Sequence, residues 1–568
     1  MKRILRPGHN CSSIERVTGA GLLIDGEDYY RAFYQAAESA KKTIMIAGWQ
    51  FDSDVRLLRG REERHARGDV LLLPFLDSLC ERNKDLEVYI LAWDFSIFFS
   101  LDHEWVQRWL FNWSTNERLH FQFDSVHAIG ASHHLKLAVI DGVLAFVGGL
   151  DICSRHWDDR QHAAVNMERW DGNGAPYEPY HDVQAYITGP SAQGLSEYFR
   201  NRWLFAGGRD FGHRPPAEGV SFDIRHAVPI AAGEVAISHT QARLPSPPLE
   251  RIQEIKFLYA DALSAAEELI YIENQFFSSR WVYSSLLKRL NAPDMPRLQV
   301  VIVLPKRFNA FLEEMTLAVA QVNILRSLVR AAAGNGHSLG IYYASSQDEN
   351  GSEVQTYIHS KVLVVDDRFL SVGSANLSNR SMSLDTELNL SWEAWSPGHI
   401  ELADSIRRIR ADLLAEHTGL TERVHRRRPE KTEGLVDYLD GLSALGRCRL
   451  HRHGMETIFE DYKWLKSITP ENFGFDPEEP LIGEEWHESM LSDDEAGFST
   501  SIKRLIAGLG PAKPRPGKIA RAERAAIVTK DRILREVRKS RRRKYFLYFL
   551  LYSALFSLLW ALIKSCRS

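Results

Sequence analysis

The sequence predicts an α/β protein built from two similar halves. Apolar β-rich runs alternate with helical stretches through about residue 420, and a set of residues recurs at a constant offset of 225 positions. The chain is 568 residues long, which exceeds the usual size of one domain, and its 44% hydrophobic and 25% charged residues are typical of a globular protein. A disordered or collagen-like chain is therefore excluded.

Strands are expected where β-branched runs occur, and helices where apolar residues follow a helical period. The expected strands are Thr43–Phe51, Leu86–Trp93, Leu119–Asp124, Leu135–Val147, Leu269–Phe276, Leu298–Leu304, Leu339–Ala344 and Lys361–Val372. The expected helices include Tyr29–Lys42, Leu71–Arg82, Gln193–Arg202, Glu250–Glu268, Ala310–Ala333 and Ile400–His417. This order indicates sheets whose faces are covered by helices.

The internal repeat concerns residues that can carry chemistry. Gln50 and Phe51 recur as Gln275 and Phe276, Gly148 recurs as Gly373, and the triplet His134, Lys136 and Asp141 recurs as His359, Lys361 and Asp366. Agreement at several positions implies two homologous α-β-α halves packed as a pseudo-dimer. We expect these halves at 1–208 and 242–420, joined by a linker at 209–241 that contains proline and glycine clusters.

The composition changes beyond residue 420. The range 421–517 is expected to be an extension that grades into a flexible tether, because residues 471–495 carry ten acidic side chains and no Lys or Arg. The basic range 518–544 is expected to form a juxtamembrane helix on anionic headgroups. The range 545–563 has 19 residues without a charge, which predicts one transmembrane helix.

The charges beside this apolar range predict its orientation. Seven basic residues lie between Arg535 and Lys544, whereas only Lys564 and Arg567 follow. The positive-inside rule then places the large N-terminal part in the cytoplasm. The first residues lack the apolar core of a secretory signal, and the five cysteines show no paired spacing. We expect a single-pass protein of a bacterial inner membrane with its catalytic part in the cytoplasm.

Both repeats carry the pattern His-x-Lys-x-x-x-x-Asp, and the histidine and lysine of each share one strand face. Two such pairs can present two imidazoles and two cations to one phosphodiester, so that one histidine attacks while the other protonates the leaving oxygen. The turns that follow, Gly148-Gly149 and Gly373-Ser374, allow backbone N–H groups to approach an anion. A phosphodiester is therefore the predicted substrate class.

These two motifs resemble the duplicated signature of the phospholipase D superfamily. The blocks "GGLDICSRHWD" at 148–158, "YHDVQAYITGP" at 180–190, "YIENQFF" at 271–277 and "NRSMSLDTEL" at 379–388 are similar to blocks of its phospholipase D proper branch, the first of them written GGxDLxxxRxD. The resemblance covers roughly residues 8–420. It implies a phospholipid substrate, a covalent phosphohistidine, and water or another alcohol as acceptor, with no metal and no cofactor.

The resemblance also implies a role for each matching residue. His134 would be the nucleophile, His359 the general acid, and Asp182 and Glu387 the acids that orient them. Lys136, Lys361 and Asn376 would hold the phosphoryl oxygens. Asp141, Asp366, Gly148, Gly149, Gly373 and Ser374 are expected to be structural parts of the motifs. Further expected substrate contacts are Asp151, Arg155, Trp157, Gln50 and Gln275, of which Asp151 is less suited because its carboxylate repels a phosphate.

Three other functions compete with a phospholipase D. A cardiolipin synthase-like phosphatidyltransferase would use the same site with a lipid alcohol as acceptor. A nuclease of this superfamily is disfavoured by the net charge of −4, so no nucleic-acid partner is expected. A non-enzymatic membrane adaptor is disfavoured because both motifs are intact. Since one chain supplies both motifs, we expect it to be active as a monomer.

Overall fold

A computed structural model describes residues 3–93, 115–128, 130–244, 248–308, 311–420, 428–446, 448–454 and 476–479. All of them belong to one compact unit, Met1–His487, and the remaining range, Glu488–Ser568, lies outside the described residues. The fold is mixed α/β with two sheets, as the alternation of strand and helix patterns predicts.

The strands before residue 230 are β1 Ser13–Arg16, β2 Gly19–Ile24, β3 Thr43–Gly48, β4 Glu87–Trp93, β5 Leu119–Asp124, β6 Leu137–Ile140, β7 Leu144–Gly148, β8 Tyr180–His181, β9 Val183–Thr188 and β10 Val228–Pro229. The later strands are β11 Glu234–Gln241, β12 Ile252–Gln253, β13 Leu269–Glu273, β14 Gln299–Val303, β15 Ser338–Gln347, β16 Glu353–Ile358, β17 Val362–Val365, β18 Phe369–Gly373, β19 Glu387–Glu393 and β20 Leu450–Arg452. The helices are α1 Asp25–Glu38, α2 Gly60–His65, α3 Leu72–Arg82, α4 Pro190–Phe205, α5 Glu254–Ser264, α6 Arg280–Leu290, α7 Phe311–Gly334, α8 Asn379–Ser383, α9 Ile400–Thr418 and α10 Leu435–Leu445, with a 3₁₀ turn at Pro397–His399.

The first sheet has eight strands in the order β10-β2-β9-β7-β6-β3-β4-β5. Strands β3, β4 and β5 run parallel, and the remaining neighbours pair antiparallel. Every residue of β3 and of β7 is buried, because both faces of the sheet are covered. The covered faces explain why these strands are continuous apolar runs rather than alternating ones.

The second sheet has twelve strands, and two of them, β1 and β8, come from the first half of the repeat. Its path is β1-β11-β19-β18-β17-β13-β14-β15-β16-β8, with β12 beside β11 and β20 beside β15. Strand β1 pairs with β11, and β8 pairs in parallel with β16. The predicted linker 209–241 contains β10 and β11, one in each sheet. The domain boundaries at 208 and 242 stay predictions.

One apolar core lies between the two sheets. It combines Val147 of β7, Val372 of β18 and Leu390 of β19 with buried residues of α4 and α9. Two further cores pack the outer faces, the first sheet against α1 and α3 and the second sheet against α5, α6 and α7. The sheets therefore meet through β7 and β18–β19, the strands that follow the two predicted motifs.

Each predicted motif strand is a hairpin rather than one strand. The expected strand Leu135–Val147 divides into β6 and β7, and Lys361–Val372 divides into β17 and β18. At the turns Asp141 and Asp366 have φ angles of +55° and +54°, a left-handed conformation that Asp tolerates better than most residues. The Asp141 carboxylate accepts hydrogen bonds from the N–H groups of Lys41, Lys42 and Thr43, and that of Asp366 from Glu267, Glu268 and Leu269, all at 2.7–2.9 Å.

The structure contradicts the predicted transmembrane helix. Among the helices of the described residues, none is both long enough and apolar enough to cross a bilayer, and the longest, α7, carries four charged residues. The ranges 518–544 and 545–563, on which the prediction rested, lie outside the described residues. The α/β class is confirmed for the described residues, which contradict the predicted transmembrane helix and with it the single-pass location with a cytoplasmic catalytic part.

We predict that Asp141→Ala lowers the free energy of unfolding by about 3 kcal/mol, because three backbone N–H groups lose a charged acceptor. Urea denaturation followed by tryptophan fluorescence measures the change. Asp85→Ala is the control, since the exposed Asp85 carboxylate lies 3.8 Å from Lys42. Equal denaturation midpoints for the two variants would show that this turn does not stabilise the fold.

Candidate active site

Each His-Lys motif is held by a backbone hydrogen bond to a segment of the other half of the repeat. The N–H of His134 donates to the carbonyl oxygen of Thr386 at 2.9 Å, and the N–H of His359 donates to the carbonyl oxygen of His181 at 2.8 Å. Each motif is thus hydrogen-bonded to a segment from the other half of the repeat. The residues that follow these two acceptors are Glu387 and Asp182, which the crossing places beside the histidines.

A buried carboxylate orients each histidine. His134 Nδ1 lies 3.1 Å from both carboxylate oxygens of Glu387, and His359 Nδ1 lies 2.6 Å from Oδ2 of Asp182. Asp182 and Glu387 are both 0% exposed. When the Nδ1–H of a neutral imidazole donates to a carboxylate, the Nε2 lone pair is left for chemistry. The structure brings the four predicted residues together in this pairing.

Burial and positive charge decide the protonation states. Burial, followed by the charges of nearby lysines, holds the pKa of His134 and of His359 well below the usual value for histidine. Burial raises the pKa of Asp182 to about 6 and that of Glu387 to about 7. Both imidazoles are therefore neutral at neutral pH, which is the form that a nucleophile needs.

The two lysines have different surroundings. Lys136 Nζ lies 2.8 Å from Oδ2 of Asp151, whose Oδ1 accepts the N–H of Trp49 at 2.8 Å. Lys361 Nζ donates to the main-chain carbonyl oxygen of His359 and lies 3.4 Å from Oε1 of Gln275. Burial lowers the pKa of Lys361 to about 8. Asp151 thus acts as a counterion for Lys136, a role that the sequence did not indicate.

Asn376 occupies the place in the second repeat that Asp151 occupies in the first. Its side chain is 6% exposed, and its Oδ1 has no hydrogen-bond partner within the described residues. A buried amide without a partner is costly unless something satisfies it. A phosphate oxygen could accept a hydrogen bond only from Nδ2 of Asn376, so the unpartnered Oδ1 does not itself mark an anion site.

The turns after the motifs are closely packed against the two acids. A Cβ atom on Gly149 would lie 2.1 Å from Oδ1 of Asp182, so only glycine fits there. At the corresponding position, the Ser374 hydroxyl donates to Glu387 at 2.5 Å. Cβ atoms on Gly148 and Gly373 would meet backbone carbonyl oxygens at 2.4 Å. A side chain at Gly148, Gly149 or Gly373 would therefore displace the segments that carry the two acids.

The remaining expected substrate contacts divide into two groups. Gln275 lies in the site, where its Nε2 donates to the Tyr357 hydroxyl at 3.0 Å. The Gln50 amide instead donates to Asp52 at 3.2 Å. Arg155 has a 67% exposed side chain paired with Asp171, and Trp157 is buried with the Arg59 guanidinium 4.5 Å above its ring. The contacts described for Gln50, Arg155 and Trp157 do not bring them to the histidines.

Sequence reasoning missed His156 and Tyr180 beside His359. The ring centres of His156 and Tyr180 lie 5.8 Å and 5.3 Å from that of His359, and the two rings stack on each other at 4.7 Å. His156 Nδ1 is 3.3 Å from the carbonyl oxygen of Asp151. The GGxDLxxxRxD pattern contained the signal, because its arginine position falls on His156 rather than on Arg155.

A second buried cluster could hold a metal ion. One donor atom from each of Asp25, His162, His181 and Glu416 lies within 4.8 Å of the others. Each of the two histidines also contacts a further carboxylate. His162 Nδ1 lies 2.9 Å from Asp158, and His181 Nε2 lies 3.0 Å from Glu273. Because the four donors are spread over nearly 400 positions, motif spacing could not reveal them. The expected metal independence stays a prediction.

Comparisons with known proteins agree with the motifs. Residues 259–409 match the family model described as "Cardiolipin synthase, PLD-like domain". The chain is 22% identical over 539 residues to phospholipase D alpha 3 of Arabidopsis thaliana, covering 71% of this chain and 65% of that protein. It is 26% identical over 426 residues to phospholipase D A of Dictyostelium discoideum, covering 65% and 32%. The chain thus spans less than two thirds of the length of these relatives.

Two solved structures are also similar. A phosphatidylserine synthase of Haemophilus influenzae has a TM-score of 0.49 and 15% identity, with 80% of this chain and 96% of that chain covered. The phospholipase D family member Nuc of Salmonella typhimurium has a TM-score of 0.20 and 18% identity, covering 32% of this chain and 94% of its own.

We predict that Lys361→Met raises the pKa of both His134 and His359, because a cation that disfavours the imidazolium form is removed. Nuclear magnetic resonance of ¹⁵N-labelled histidine, recorded against pH, measures the two titrations. Lys84→Met, a change at an exposed lysine, should leave both unchanged. Titrations that do not move in the Lys361 variant would contradict the proximity of this cation.

Proposed function

Because the chain belongs to the phospholipase D superfamily, we propose that it is a phosphodiesterase of the phospholipase D type acting on glycerophospholipids. The observation that carries the proposal is the pair of crossed carboxylate–imidazole contacts, at 3.1 Å and 2.6 Å, in one site with two lysines. Two neutral imidazoles and two cations suit a phosphodiester better than a carbonyl, whose reaction needs a single oxyanion site.

The reaction proceeds in two steps with His134 as nucleophile. In the first, Nε2 of His134 attacks phosphorus, the bond from phosphorus to the headgroup oxygen breaks, and His359 gives that oxygen a proton. In the second, water or another alcohol attacks phosphorus, His359 takes its proton, and the phosphorus–nitrogen bond breaks to release neutral His134. Lys136, Lys361 and Asn376 hold the two non-bridging oxygens while the negative charge shifts.

The different acid contacts support this assignment of roles. The 2.6 Å contact between His359 and Asp182 has the length of a charge-assisted hydrogen bond, which stabilises an imidazolium that must donate a proton. The contacts of His134 to Glu387 are longer, at 3.1 Å, and fit a histidine that stays neutral until it attacks. A substrate phosphate adds negative charge beside His359 and raises its pKa toward the donor form.

A phosphatidyltransferase of the cardiolipin synthase kind is the second candidate. The family model that matches residues 259–409 carries that description. The same site would serve both reactions, because water and a lipid alcohol would be deprotonated by the same His359. The acceptor, rather than the catalytic groups, separates the two proposals.

Incubation with vesicles of phosphatidylcholine, phosphatidylethanolamine or phosphatidylglycerol, with and without 1-butanol, tests both candidates. We expect phosphatidic acid from at least one lipid, and phosphatidylbutanol when the alcohol is present. Cardiolipin and glycerol from phosphatidylglycerol would favour the transferase. Absence of product from all three lipids, with a folded protein, would refute the proposed function.

We predict that His359→Asn accumulates a phosphatidyl adduct on His134, because the residue that activates the acceptor is missing. Mass spectrometry of peptides after a brief incubation locates the adduct. His134→Ala should form none and should have no turnover. An adduct found on His359 in the His134→Asn variant, with none on His134 in the His359 variant, would reverse the two roles.

A pH dependence is predicted from the raised pKa of Glu387, about 7. Glu387 must be ionised to accept the Nδ1–H of His134, so kcat/KM should fall as the pH drops below about 7. Ser374→Ala removes a hydrogen bond to the carboxylate, which raises this pKa further and moves the fall to higher pH. Glu387→Gln should lower kcat by about 10²- to 10⁴-fold and abolish this limb. Identical profiles for wild type and Ser374→Ala would contradict the assignment.

A further inference from the structure

A short piece of the acidic stretch 471–495 contacts the second half of the repeat. In the described segment 476–479, the Asp476 carboxylate accepts the N–H groups of Asn379 and Arg380 at 2.9 Å and 2.8 Å. It also accepts the hydroxyl of Ser278 at 2.6 Å. One carboxylate thereby joins the start of α8 to the loop that carries Gln275.

The segment contacts α8 at both ends. The Asn379 side chain donates to the main-chain oxygen of Asp476 at 3.3 Å, and the Ser383 hydroxyl donates to that of Glu478 at 2.8 Å. Glu479 forms an ion pair with Arg251 at 2.8 Å. The segment therefore follows the whole of α8, a five-residue helix with little stability of its own.

From α8 the contacts lead directly to His134. The Arg380 guanidinium donates to both carboxylate oxygens of Asp385, at 2.7 Å and 3.0 Å. Oδ1 of Asp385 accepts the N–H of Ser132 at 2.7 Å. Glu387 lies two residues after Asp385, and His134 lies two residues after Ser132. A shift of α8 would thus move both members of the His134–Glu387 pair.

We propose that segment 476–479 is a strap that holds α8 in place, and that Asp476 is a positioning residue for the His134–Glu387 pair. Asp476 does not touch the reacting atoms; it acts by fixing the backbone from which Arg380 reaches Asp385. The kinetic part of the test rests on the proposed function, whereas the structural part does not. The role assigned to this part of the acidic stretch goes beyond that of a flexible tether.

The structural test compares hydrogen–deuterium exchange of residues 378–387 in the full-length chain. Asp476→Ala should speed exchange of these amides by at least about tenfold, because the carboxylate that accepts two backbone N–H groups and one hydroxyl is lost. Glu478→Gln is the matched control, because the described contact of Glu478 is made by its main-chain oxygen. Asp476→Asn, a milder change, should give an intermediate rate. Exchange at the wild-type rate in both Asp476 variants would overturn the proposal.

The kinetic test uses phosphatidyl transfer to 1-butanol from the phospholipid vesicles that the wild type accepts. Asp476→Ala should lower kcat by about tenfold with KM within about twofold, since orientation rather than substrate binding is lost. If Asp476 acts through Asp385, adding Asp476→Ala to Asp385→Asn should cost less than the sum of the two free-energy effects. Full additivity, or faster exchange with unchanged kcat, would overturn the positioning role. A wild type inactive on every lipid would refute the proposed function, and the exchange result would still decide whether the strap holds α8.

Discussion

The hydrogen bonds between each histidine and an acid from the opposite half are the constraint on which the rest of the site depends. Asp182 and Glu387 are completely buried, so each needs a partner to offset the loss of hydration. Their raised pKa values express that cost. The neutral histidines satisfy the carboxylates, and in return the carboxylates fix which ring nitrogen faces the substrate. Stability and reactivity are therefore set by the same two contacts.

The charges around these contacts are balanced unevenly. Lys136 has Asp151 as a direct counterion, whereas Lys361 contacts main-chain and amide oxygens among the described residues. Under the proposed function, a phosphate would meet a paired cation at Lys136 and, among the described residues, a cation without an ion-paired carboxylate at Lys361.

Much of the fold and most of the site could be predicted from the sequence, because duplicated motifs fix residue types at fixed spacings. The α/β alternation follows from the hydropathy patterns, and His134 and His359 follow from the repeat, whereas Asp182 and Glu387 were expected only from the resemblance. Roles that depend on distance through space could not be predicted, as the pairing of Asp151 with Lys136 and the cluster around His181 show. The membrane helix expected from hydropathy is contradicted, because no helix of the described part of the chain could cross a bilayer. The left-handed turn at Asp141 divided an apolar run that reads as one strand.

The crossed contacts also bear on how the two halves can change over evolutionary time. A duplicated gene usually leaves one copy free to drift, but here neither copy holds the acid that its own histidine needs. Loss of Asp182 would disable the histidine of the other half, so selection must act on both copies together at these positions. Residues that contact only their own half are not under this joint constraint. Asp151 corresponds to Asn376 in the repeat, and Gly149 corresponds to Ser374. At these positions the two halves have diverged, and the first half has a charged residue where the second has a neutral amide.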